Sequence, residues 1–190
     1  MSCSLNGYGA TTQFALVGFI PEPLGSFLTD LRTELVSGCR LRSHVTVLPP
    51  RYLSSPVGAL VSDLRVDTKH IHAFEIELGE IQIFPVTNVI YLSLKSGKEH
   101  IEAMHARLSR NLFAYQEPYP FHPHVTLAQE VPQEYVADVY ARACQRWMDW
   151  GRSRKFKVDS LVFVRNVNMM GWENLSEHAL ANGAMALRTA

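Results

Sequence analysis

Two histidines stand in the same three-residue setting, His44-Val45-Thr46 and His124-Val125-Thr126. In an extended strand residues two apart share a face, so each imidazole lies beside a threonine hydroxyl while the valine points the other way, into a core. An imidazole titrates near neutrality, taking a proton in one state and giving it in the other, and a neighbouring hydroxyl can hydrogen-bond a phosphoryl oxygen. Placed across a cleft, two such pairs supply both halves of an acid–base reaction at phosphorus. One histidine activates water while the other protonates the departing oxygen, and the scheme needs neither metal nor cofactor. Which imidazole is the acid is left open by the sequence.

The elements around the motifs repeat their order. An apolar run from Phe14 to Ile20 has the length of a strand and is closed by Pro21 and Pro23, which open a helix. Along that helix Leu24, Phe27, Leu28, Leu31 and Leu35 recur at three- and four-residue steps, and Gly38 stops it. The strand Ser43–Leu48 carries the first motif and is expected to end at Pro49-Pro50. After a helix over 54–66, residues Ala73–Leu78 alternate apolar and acidic as a half-buried antiparallel strand does, with Gly79 turning or bulging it. The opening order then returns. A strand Val89–Leu94 precedes a helix announced by Ser96 and Glu99 as a capping box, with Ile101, Met104, Leu108 and Leu112 on one face, and a second motif strand follows. This duplication predicts two facing, pseudo-twofold lobes. The remainder predicts a helix near Pro132–Trp150, a strand near Phe156–Arg165 and an amphipathic turn holding Trp172, Leu175 and Leu180.

Bulk properties narrow the classes of partner. Of 190 residues, 47% are hydrophobic and 19% charged, an ordinary globular balance that predicts one compact unit. Eighteen basic residues cancel eighteen acidic ones, so the strong cationic field that long nucleic acid needs is missing, while a small phosphate ligand stays open. Cys3, Cys39 and Cys144 are odd in number and far apart, which points away from disulfides and zinc and toward a reducing cytoplasm. No signal segment or membrane span is expected. Residues 1–12 read as a flexible terminus and 13–190 as a single two-lobed domain, expected to be monomeric.

Ser43-His44-Val-Thr46-Val-Leu-Pro-Pro and His122-Pro-His124-Val-Thr126-Leu-Ala-Gln129 resemble the two-histidine (2H) phosphoesterases, which include bacterial proteins called RNA 2′-5′ ligases. The likeness spans most of residues 14–180. The resemblance implies an α+β fold, two pseudo-symmetric lobes of antiparallel β-sheet with helices outside, around a central groove lined by both motifs. It also implies metal-independent opening of a 2′,3′-cyclic or related phosphodiester on a nucleotide or RNA end, with His44 and His124 catalytic and Thr46 and Thr126 on the phosphoryl oxygens. One departure stands out. Several RNA-processing relatives have arginine shortly after the second motif where this chain has Gln129, and a neutral amide holds an anion less strongly. Two rivals therefore remain beside hydrolysis: RNA 2′-5′ ligation, the same geometry run backwards, and a nucleotide- or RNA-binding protein without turnover.

Other residues have weaker claims. Arg51, just past the prolines, is a candidate to line the groove mouth and steer a phosphate. The run Arg152, Arg154, Lys155 and Lys157 is a candidate for an RNA backbone, with a solvated loop face the commoner fate. Tyr91 and Phe121 are candidate base-stacking platforms, with core packing the commoner fate. His122 and His124, two apart, admit a metal reading, though no acidic or cysteine partner stands at fixed spacing.

Overall fold

The computed structural model describes residues 12–39, 41–168 and 171–182. Cys3 and all of the predicted flexible terminus except Thr12 lie outside them. Twelve regular elements follow in order: β1 (Gln13–Phe19), α1 (Leu24–Leu35), β2 (His44–Tyr52), α2 (Val57–Thr68), β3 (Phe74–Ile83) and β4 (Ile90–Ser96). Then come α3 (Lys98–Leu108), β5 (Val125–Ala128), α4 (Val136–Met148), β6 (Lys155–Val158), β7 (Ser160–Asn168) and β8 (Gly171–Ala179). The strands form two antiparallel four-stranded sheets, ordered β2-β1-β7-β8 and β5-β4-β3-β6. In each sheet the motif strand is an edge and its inner neighbour is the strand that opens the repeat. The fold is α+β with two pseudo-symmetric lobes, as the duplicated order predicts.

One hydrophobic cluster runs through both sheets and the helices packed on them, including Leu16, Leu28, Val47, Leu64, Ile76, Leu92, Ile101 and Leu161. Burying this apolar surface at about 25 cal/mol per Å² is what holds short strands of four residues in place. A smaller cluster of Ala15, Val17, Val162 and Val164, with Phe19 and Trp172 against it, covers the opposite face of the first sheet. β1 is thus buried on both faces, which is why its sequence is a continuous apolar run rather than an alternation. The helices cross over: α1 packs against β5 of the other lobe, and α3 against β2.

Five details depart from the sequence expectation. β2 does not end at Pro49-Pro50 but continues to Tyr52, because it is an edge strand and its outward N–H positions need no partner. α3 is not opened by a Ser96 capping box: Ser96 is the last residue of β4, Gly97 in a left-handed conformation (φ 83°) makes the turn, and no side chain caps the helix. α3 also stops at Leu108, leaving Leu112 in a 3-10 turn, Asn111–Phe113. The predicted strand over Phe156–Arg165 is two strands in different sheets, β6 beside β3 and β7 beside β1, with Asp159 at the switch. The final amphipathic turn is β8, an edge strand paired with β7.

Gly97 offers a test of this packing. A Cβ there would lie 2.5 Å from the Glu75 carbonyl oxygen in addition to the strain of its positive φ, whereas one on Gly58 of α2 would meet nothing within 4 Å. We expect Gly97→Ala to lower unfolding free energy by more than about 1 kcal/mol and Gly58→Ala to raise it by about 0.5 kcal/mol, read from urea midpoints at unchanged slope.

Candidate active site

Between the lobes lies a cavity of about 1010 Å³ whose lining includes His44, Thr46, His124, Thr126 and Gln129. His44 begins β2 opposite Phe19 of β1, and His124 immediately precedes β5. Both imidazoles are held in the same way. His44 Nδ1 lies 2.7 Å from the carbonyl oxygen of Arg42, and His124 Nδ1 lies 2.6 Å from that of His122. A carbonyl only accepts, so each Nδ1 carries a hydrogen and donates it, leaving Nε2 as the nitrogen free to exchange a proton. Aromatic rings fix the orientation further. Phe19 stands edge-on to His44 at 6.3 Å between centroids, and Phe84 and Tyr91 stand edge-on to His124 at 5.1 and 5.3 Å.

This enclosure has an electrostatic consequence. Burial disfavours the charged imidazolium and pushes His44 from its ordinary 6.5 down to about 4; the hydrogen bond to Arg42 opposes this, and the charges of Arg32 and His124 add to it. His124 is also lowered, first by burial and then by the charge on His122, against the pull of the His122 carbonyl. Enclosure thus favours the neutral form of both rings, in which Nε2 carries the lone pair.

The structure relocates several candidates. Arg51 does not line the cavity mouth; it is 1% exposed and points into the protein. Its Nη2 is 2.6 Å from Glu117 Oε1, its Nη1 donates to the Phe113 carbonyl at 2.9 Å, and its Nε donates to the Pro49 carbonyl. Arg51 shares the core side of β2 with Val45 and Val47, a placement visible only once the strand is known to run through the prolines. The basic run is also largely committed. Arg154 lies over the Trp147 ring at 4.4 Å and donates to the Trp147 carbonyl, while Lys155 pairs with Glu75 and Glu77. Tyr91 is buried against Phe84 with its hydroxyl donating to Gln82, and Phe121 lines the cavity with one face stacked on His105 at 3.7 Å. The His122 and His124 rings are 6.4 Å apart, and among the described residues no group of three His, Cys, Asp or Glu is arranged to hold a metal. No helix among them is long and apolar enough to cross a membrane.

Two site residues escaped the sequence reading. Glu117, in the proline-rich segment before the second motif, faces both Arg51 and His105 (3.5 Å). Arg32 lies on α1 between Leu28 and Leu35, inside the apolar stripe, and is 3% exposed on the cavity wall. A lone charge on a buried helix face was the available signal.

A family model described as the 2′-5′ RNA ligase superfamily matches residues 20–168. A protein of Geobacillus thermodenitrificans, provisionally named a phosphoesterase, is 30% identical over 112 residues, covering 54% of this chain and 64% of that relative; the chain thus spans a little under two thirds of its length. A similarly named protein of Geobacillus kaustophilus is 27% identical over 139 residues, 68% of this chain and 76% of that one. Among solved structures, Escherichia coli LigT complexed with 3′-AMP superposes with TM-score 0.65 at 15% identity, covering 90% of this chain and 99% of LigT. TT0787 of Thermus thermophilus gives TM-score 0.60 at 18% identity, covering 90% and 100%. These last two likenesses bear on the fold.

The revised place of Arg51 is testable. Arg51→Met strands Glu117 beside the core, and we expect a loss of about 3 kcal/mol in unfolding free energy. Gln129→Ala, which removes an exposed side chain, should stay within about 0.5 kcal/mol of the parent in the same calorimetric or urea measurement.

Proposed function

The chain belongs to the 2′-5′ RNA ligase superfamily, and from that premise we propose that it is a phosphodiesterase that opens a 2′,3′-cyclic or related phosphodiester on a nucleotide or RNA end by paired-histidine catalysis. The observation that supports this most is the matched pair itself: His44 and His124 open on one cavity, each tied through Nδ1 to the carbonyl two residues upstream. Neutral Nε2 of one ring takes a proton from water as a new P–O bond forms. Protonated Nε2 of the other gives its proton to the ribose oxygen as the old P–O bond breaks. The rings end with their protonation states exchanged and are reset by solvent. Thr46 and Thr126, beside the two imidazoles, hold phosphoryl oxygens through their hydroxyls. Proton transfer is carried by side chains, so the reaction proceeds without a metal. The solved LigT complexes with 3′-AMP and NADP+ are in keeping with a nucleotide in such a groove.

With excess EDTA, the purified protein should convert a 2′,3′-cyclic nucleotide to a single monophosphate isomer. His44→Ala and His124→Ala should each lower kcat by at least about a hundredfold. Unchanged turnover in either variant refutes the pair, and tight binding without turnover across cyclic and 2′-5′-linked substrates makes the protein a binding module. The pH dependence follows from the lowered histidines. A reaction that needs one ring neutral and one protonated in the free enzyme is fastest between their two values, so kcat/KM should form a bell whose limbs both lie below pH 6.5, the acidic one near 4.

A further inference from the structure

The two lobes are alike in backbone but not in charge. On the α3 side, His105 Nδ1 donates to the carbonyl of Val47 on the first motif strand at 2.8 Å. Charges there are compensated, because Glu117 lies between Arg51 and His105. On the α1 side the corresponding contact is made by Arg32, whose Nη1 donates to the carbonyl of Thr126 on the second motif strand. Its Nη2 lies 3.9 Å from the Cys39 sulfur, its buried Nε has no hydrogen-bond partner, and it pairs with no carboxylate among the described residues. A guanidinium buried without a counter-charge is destabilising, so this cation is retained at a cost in stability. Its side chain lines the cavity that holds both imidazoles.

Resting on the phosphodiesterase reading, we propose that Arg32 is the positioning cation of the site, attracting the substrate phosphate in place of the cation absent at Gln129. An anion entering the cavity supplies the missing counter-charge, as a buried guanidinium with a free N–H favours a phosphoryl oxygen over water. The same charge sets the two histidines apart. The Arg42 carbonyl and the Phe19 edge hold the His44 ring, and the Arg42 guanidinium lies over the Phe19 ring at 4.3 Å; the charges that act on His44 are those of Arg32 and His124. Glu117, the one carboxylate among the described lining residues, is engaged by Arg51. Nothing negative therefore offsets Arg32 at His44, and the field of Arg32 disfavours a proton there; around His124 the charge that acts is that of His122.

The test compares Arg32→Met, close in shape but uncharged, with Arg32→Lys, which keeps the charge and a donor. Imidazole NMR titration of the ligand-free parent should place His44 below His124. Arg32→Met should raise the His44 value and leave that of His124 nearly unmoved, and Arg32→Lys should restore it. Inorganic phosphate, followed in the same spectra, should bind at least about tenfold more weakly to Arg32→Met than to Arg32→Lys. In kcat/KM against pH, the acidic limb should move upward in Arg32→Met while the alkaline limb stays. Equal phosphate affinity in Arg32→Met and Arg32→Lys, or a His44 that stays unmoved in Arg32→Met, overturns the assignment. Should Arg32→Met fail to fold, Arg32→Gln, equally uncharged, takes its place in both measurements. If no diester is turned over, the phosphodiesterase reading fails by itself, while titration and phosphate binding still judge Arg32.

Discussion

Arg32 on α1 reaches the carbonyl of Thr126, and His105 on α3 reaches that of Val47, so each lobe's helix is tied to the strand that carries the other lobe's histidine. An edge strand by itself is poorly held, with one flank of its backbone unpaired. Here the unpaired side is where the opposing helix closes, and the apolar stripe of that helix supplies the burial that keeps it there. The two imidazoles share one cavity because of this exchange. If the lobes packed only through their sheets, the motif strands would be outer edges.

The same closure sets the chemistry. Aromatic walls enclose part of both rings, and this partial loss of contact with water disfavours their charged forms. A histidine in such a place loses charge readily and regains it when an anion arrives, which is the behaviour an acid–base pair acting on a phosphate requires. The Nδ1 hydrogen bonds complete the arrangement by fixing which nitrogen is free; without them the rings could rotate or change tautomer, and the Nε2 atoms would not be presented together. The compensated trio Arg51, Glu117 and His105 contributes differently. It ties β2, α3 and the segment before the second motif together, with the Arg51 charge paired to Glu117.

What the residues disclosed locally and what they withheld can be seen at particular positions. The His-Val-Thr pairs, the apolar stripes of α1 and α3 and the alternation of β3 all follow from periods of two and 3.6, which involve neighbours in sequence. Pro49-Pro50 misled because a proline stops a central strand and not an edge strand, and position within a sheet is a matter of distant partners. The Ser96 box misled because β4 needed that residue for its pairing with Glu77, so the turn fell to Gly97. Asp159 divides one apparent strand between two sheets, and Trp172 and Leu175 fit a strand as well as a turn until β7 is there to pair with β8.

By itself, then, the chain determined the duplicated order, the two motifs and the side of the strand each imidazole takes, since covalent spacing and strand geometry suffice for these. Tertiary structure decided the rest. It buried Arg51 in an ion pair with a residue 66 positions away, brought Arg32 to a carbonyl 94 positions away, and lowered both histidines by enclosing them. Desolvation and charge pairing depend on which groups end up within a few ångströms of each other, and that is a property of packing between the lobes rather than of any stretch of sequence.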